Sequence, residues 1–83
     1  DMENDSANWN VHYQKNTGGF LIQTNGFKMS EIEVYDLSGK LLKSAQNLNS
    51  EREELRIFTP ETILIIKVKT QEGKSFAKKV MMK

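Results

Sequence analysis

Apolar residues recur at every second position through most of this chain. Trp9, Val11 and Tyr13 share one face of an extended segment, leaving Asn10, His12 and Gln14 on the other. The same period, or a short apolar run bounded by turn residues, returns at 20–24, 30–35, 40–45, 54–58, 62–70 and 74–82, which predicts seven short strands. Asn16-Thr17-Gly18-Gly19 and Asn25-Gly26 punctuate the first three, and 46–53 is the longest loop. One stretch admits a second reading. Ser50 followed by Glu53 has the form of a capping box and would open a helix over 50–56. Leu55, Ile57 and the β-branched run after Pro60 keep a period of two, so strand is preferred.

Two segments depart from clean alternation. The run Ile63-Leu64-Ile65-Ile66 is unbroken before alternation resumes, as suits a central strand with Leu64, Ile66 and Val68 inward and Ile63 and Ile65 partly covered. In the last segment Phe76, Lys78 and Val80 share parity. Either a bulge flips the register there, or Lys78 lies at an exposed edge as an inward-pointing charge that blocks strand addition. Without a convincing helix, the pattern predicts an all-β antiparallel sandwich over 9–83, preceded at 1–8 by a polar, acidic lead-in that reads as linker or disordered chain.

Composition narrows the chemistry. Eighty-three residues support one core and little else. The net charge of +1 conceals an asymmetry: from Ile63 onward six lysines face one acid, so the earlier part carries −4. That balance argues against a nucleic-acid footprint over the whole surface. The absence of cysteine removes disulfides, thiolate metal sites and cysteine nucleophiles, and a single histidine removes multi-histidine metal sites. His12 falls on the polar face of its strand and reads as a solvated residue. No apolar run approaches the roughly 20 residues of a membrane-spanning helix, and the start Asp1-Met2-Glu3-Asn4-Asp5 is unlike a signal peptide. No paired acid and base is discernible, so neither catalysis nor a cofactor or metal is expected.

The densest polar stretch is VYDLSGKLL, Val34 to Leu42. As a phosphate loop it lacks the upstream glycine and the hydroxyl after Lys40, and a strand follows instead of a helix. As a calcium loop it offers only Asp36 and Ser38. As a turn every residue fits: Asp36 can accept hydrogen bonds from amides two or three residues on, and Gly39 supplies the positive-φ residue of a three-residue hairpin with a bulge. Val68 to Lys74 repeats the pattern, with Thr70, Gly73 and Lys74 in the places of Asp36, Gly39 and Lys40, so two hairpins of one geometry are expected.

Those residues carry a resemblance. IEVYDLSGKLLKS (Ile32 to Ser44), followed by ILIIKVKTQEGKSFAKKVMMK (Ile63 to Lys83), resembles the C-terminal sorting domain of the type IX, or Por, secretion system. In that family a tyrosine-aspartate-leucine-x-glycine-lysine hairpin precedes a second glycine turn and a lysine-lysine-valine terminus. The resemblance implies a small immunoglobulin-like sandwich that catalyses nothing. It implies an N-terminal cargo domain in the same parent chain, passage through the periplasm and the type IX translocon, and handling by a surface sortase, so that the product is secreted or held at the cell surface. Lys78, Lys79, Val80 and Lys83 are the recognition residues it suggests. Asp36, Gly39, Lys40, Gly73 and Lys74 form the turn signature. An immunoglobulin-like accessory module for carbohydrate binding or adhesion is the alternative; it would need exposed coplanar aromatics, for which Trp9, Tyr13 and Tyr35 are the candidates. Edge strands of such a sandwich also offer pairing to a second copy.

Overall fold

The computed structural model describes residues 8–82 together with the backbone of residues 2–3. Its strands are β1 (Met2–Glu3), β2 (Trp9–Gln14), β3 (Gly19–Thr24), β4 (Met29–Tyr35), β5 (Leu41–Ala45), β6 (Arg52–Arg56), β7 (Ile63–Thr70) and β8 (Ser75–Met81). Apart from the two-residue β1, these are the seven strands that the period-two pattern predicts, and no helix occurs among the described residues. One sheet has the order β1-β8-β7-β4-β5 and the other β2-β3-β6. All pairings are antiparallel except that of β1 with β8, where Met2 lies opposite Ser75 and Glu3 opposite Phe76. From β2 onward the chain crosses between sheets after β3, β5 and β6, giving the Greek-key connectivity of an immunoglobulin-like sandwich. Positions 1 and 4–7 of the expected lead-in lie outside the described residues.

Alternation decides which side chains meet between the sheets. Phe20 and Ile22 of β3 face Ile32 and Val34 of β4 and Leu64, Ile66 and Val68 of β7, all without solvent exposure. Ile63 and Ile65 are half-buried on the outer face, as the unbroken apolar run implies, and His12 is exposed. Each fully buried aliphatic or phenyl side chain contributes roughly 1.5–3 kcal/mol by leaving water. Trp9 and Phe27 pack on Phe76 with ring centroids 6.4 and 5.5 Å away, tying β2 and the β3–β4 connection to β8.

Burial overrides local preference at two places. Ser50 Oγ does donate to Glu53 Oε2, but the chain there is extended, because β6 pairs with β3 and sets Leu55 opposite Phe20 in the core. A helix would break that pairing. The strand nevertheless starts two residues before the expected Glu54 and stops at Arg56, which leaves Phe58 outside it and 87% exposed. In β8 the register runs unshifted from Met81 opposite Ile63 to Ser75 opposite Lys69, so there is no bulge and Lys78 points inward at the edge. The register shifts occur elsewhere, in β4–β5 between Val34 and Tyr35 and in β4–β7 between Met29 and Glu31. At the second, the Ser30 hydroxyl lies 3.1 Å from the carbonyl oxygens of both Lys69 and Thr70.

Candidate functional site

The two glycine hairpins are built alike. Gly39 has φ +92° and Gly73 φ +91°. In the first, Asp36 N–H donates to the Lys40 carbonyl (3.0 Å) and Gly39 N–H to the Asp36 carbonyl (3.1 Å); in the second, Thr70 N–H donates to Lys74 (2.8 Å) and Gly73 N–H to Thr70 (3.0 Å). Side-chain oxygens close both loops. Asp36 Oδ1 accepts from Ser38 N (2.9 Å), Ser38 Oγ (2.6 Å) and Lys40 N (2.9 Å), while Thr70 Oγ1 accepts from Glu72 N (3.2 Å) and Lys74 N (3.1 Å). A carboxylate and a hydroxyl thus fill one structural role. The Ser38 hydroxyl, and after it the Lys40 amide, holds the Asp36 carboxyl below its ordinary 3.8. Its support of the turn is therefore present above that value and lost as pH falls through the lowered one.

A Cβ on Gly39 would meet no atom within 4 Å, so the demand for glycine there is one of backbone conformation alone. Gly39→Val should cost about 1–2 kcal/mol through left-handed strain, and Gly39→Asn clearly less. Urea unfolding reads this as a lowered midpoint at unchanged slope. Equal midpoints for wild type and Gly39→Val would refute the strain.

The four recognition candidates in the last strand do not form one cluster. Lys78 turns inward: its Nζ donates to the Trp9 carbonyl at 2.7 Å and sits 4.8 Å from the centroid of the Trp9 ring. Burial pulls its ammonium below the ordinary 10.5. Val80 is half-buried against the core, opposite Leu64. Lys79 is exposed on the outer face, opposite Ile65, and Lys83 lies outside the described residues. Of the turn signature, Lys40 and Lys74 are exposed.

Beside Lys79 the outer face of the large sheet is ordered in rows. Glu31 stands opposite Lys69 and Glu33 opposite Lys67, and these four with Ser75 line a shallow cavity of about 130 Å³. Tyr35 Oη donates to Glu33 Oε1 at 2.8 Å, and that bond, more than burial or the neighbouring acids, raises the Tyr35 phenol above 10.0. The aromatic candidates for a sugar platform are dispersed. Trp9 is 2% exposed, Tyr13 packs on Phe20 at 5.2 Å, and Tyr35 belongs to the opposite sheet. Among the described residues no group of three or more His, Cys, Asp or Glu could hold a metal ion, and no helix is long and apolar enough to cross a membrane.

Two contributors escape sequence reasoning. Trp9 is the partner of Lys78, 69 residues away in sequence. Gln71 Nε2 donates to Met29 O at 3.3 Å and also to Leu48 O, fastening the loop after β5 to the second hairpin. Neither leaves a local signal, because each contact exists only once the strands are ordered in space. The parity of Lys78 is the one available hint.

No curated protein matches the chain. Residues 2–82 match the model of the family described as Domain of unknown function (DUF8694). Because that match spans nearly its whole length, the chain belongs to the family DUF8694.

Proposed function

We propose that the domain is a non-catalytic sorting module of a larger exported protein, recognised by type IX secretion machinery for outer-membrane translocation and surface attachment. One observation carries the reading: two matched glycine hairpins, Asp36 to Lys40 between β4 and β5 and Thr70 to Lys74 between β7 and β8, the second of which leads into a basic last strand whose Lys79 projects to solvent. Rigid turns present that strand in a fixed frame, as recognition by a receptor requires. The partners are the translocon, a surface sortase and an N-terminal cargo domain, and the destination is the cell surface by way of the periplasm.

A fluorescent cargo fused ahead of Asp1 tests this in a host that possesses the type IX system. The wild-type fusion should reach the surface. Because Lys78 is tied to Trp9, its replacement would confound folding with recognition, so the signal variant changes Lys79 and Lys83 to glutamine and keeps Lys78. That variant should remain in the periplasm while unfolding at the wild-type temperature. Retention of the wild-type fusion in the periplasm would reject the sorting function; surface delivery of the glutamine variant would reject these lysines as its signal.

A further inference from the structure

Phe58 is the most exposed large hydrophobic side chain described, at 87%. It is not on a loose segment: Ile57 beside it is anchored in the core at 4% exposure, Pro60 follows, and Glu61 N–H donates to Thr59 Oγ1 at 3.2 Å. The ring is thus presented at little ordering cost, which is what an interface anchor requires.

The same molecule carries a receptor of matching chemistry. Tyr35, Leu37, Gly39, Ile65, Ala77 and the Lys67 stem line an open, mostly apolar pocket of about 260 Å³ on the outer face of the large sheet. An apolar cavity of about 150 Å³ already accepts benzene, so a phenyl ring fits. Leu37 (58% exposed) and Leu41 (48%) extend the apolar surface around it. Charge is compatible as well. Lys67 lines the pocket and Lys79 stands opposite its Ile65, while the two acids there are engaged, Asp36 turned to its own loop by three hydrogen bonds and Glu33, opposite Lys67, accepting from Tyr35 Oη. The segment that presents Phe58 has an acidic excess, with Glu51, Glu53, Glu54 and Glu61 against Arg52 and Arg56.

We propose that the domain associates with a second copy of itself by seating Phe58 of one molecule in the Tyr35–Leu37–Ile65–Ala77 pocket of the other. One ring and a charged rim fall short of the roughly 1,000 Å² that stable interfaces bury, so the association is weak and concentration-dependent. It gains weight wherever copies are crowded together. Unlike edge-strand pairing, it depends on one exposed side chain.

Sedimentation equilibrium from about 10 μM to about 1 mM tests it. The wild-type average mass should rise across that range. F58S should hold the monomer mass, its association weakened about tenfold or more, with an unchanged circular dichroism spectrum. L37D, which places a charge in the pocket wall, should do the same. An equimolar mixture of F58S and L37D should regain association, since one supplies an intact pocket and the other an intact phenylalanine. A wild type that stays monomeric, an F58S variant that associates as strongly as wild type through strand edges, or a mixture that gains nothing would each overturn the proposal.

Discussion

Phe20→Ala should lower the stability of the domain by about 3–5 kcal/mol. Phe20 has no solvent exposure, lies opposite Leu55 across the β3–β6 pairing, and packs under Tyr13 at 5.2 Å. It sits on β3, the central strand of the three-stranded sheet, between β2 and β6. Truncation removes the largest side chain of that sheet with no solvent exposure and leaves a void between elements whose backbones are fixed by their own ladders. Against a total of about 5–15 kcal/mol for a domain of this kind, the variant would be only marginally folded. Phe58→Ala, by contrast, should change stability by no more than about 0.5 kcal/mol, because that ring is already in water. Urea unfolding of both variants is the measurement. The Phe20→Ala midpoint should drop steeply at constant slope while that of Phe58→Ala stays in place. A loss below about 1 kcal/mol for Phe20→Ala would mean that Tyr13 and Leu55 close over the gap, and that the small sheet is less rigid than its pairing implies.

These two phenylalanines also show what was legible in the sequence. Phe20 opens an apolar run after a glycine turn, and both neighbours and spacing announce a core strand. Phe58 looks like the end of such a strand, yet the ladder stops at Arg56. Local alternation cannot say where pairing ends, since that depends on the length of the partner β3. Turn chemistry was readable in its main lines: positive φ at Gly39 and Gly73 and a side-chain closure of both loops follow from residues within five positions of one another, although Asp36 accepts from the amides two and four residues on where two or three were expected. The site was legible only in part. Parity left Lys78 either past a bulge or pointing inward at an edge, and which surface it would meet depends on how β2 lies against β8, a relation of two sheets that no window of sequence contains. The lysines grouped as one basic terminus separate in space for the same reason, successive strand residues facing opposite ways.

Lys78→Glu should cost about 2–4 kcal/mol and Lys78→Met about 1–2 kcal/mol, a difference that isolates the charge from the stem. In the wild type the ammonium bonds the Trp9 carbonyl and covers the ring face, closing the gap between the two sheets with a group that carries its own charge to the edge of β8. Glutamate reverses every term, setting a carboxylate against a carbonyl oxygen and the negative face of the indole. Methionine keeps the apolar stem over Trp9 but surrenders the charge, and with it the guard on a strand that β1 covers only at Ser75 and Phe76. The K78M variant should accordingly fold, and aggregate sooner than wild type on heating. The alkaline side supplies an independent check. Burial lowers the folded-state value of Lys78 below 10.5, so between the two values the unfolded chain binds more protons and the contribution of this group to stability rises with pH until 10.5 is passed. That rise should be present in wild type and missing from K78M when unfolding is followed through the window below 10.5. Identical pH profiles, together with equal losses for K78E and K78M, would show that the lysine acts through its hydrocarbon stem alone and that its charge is not held against Trp9.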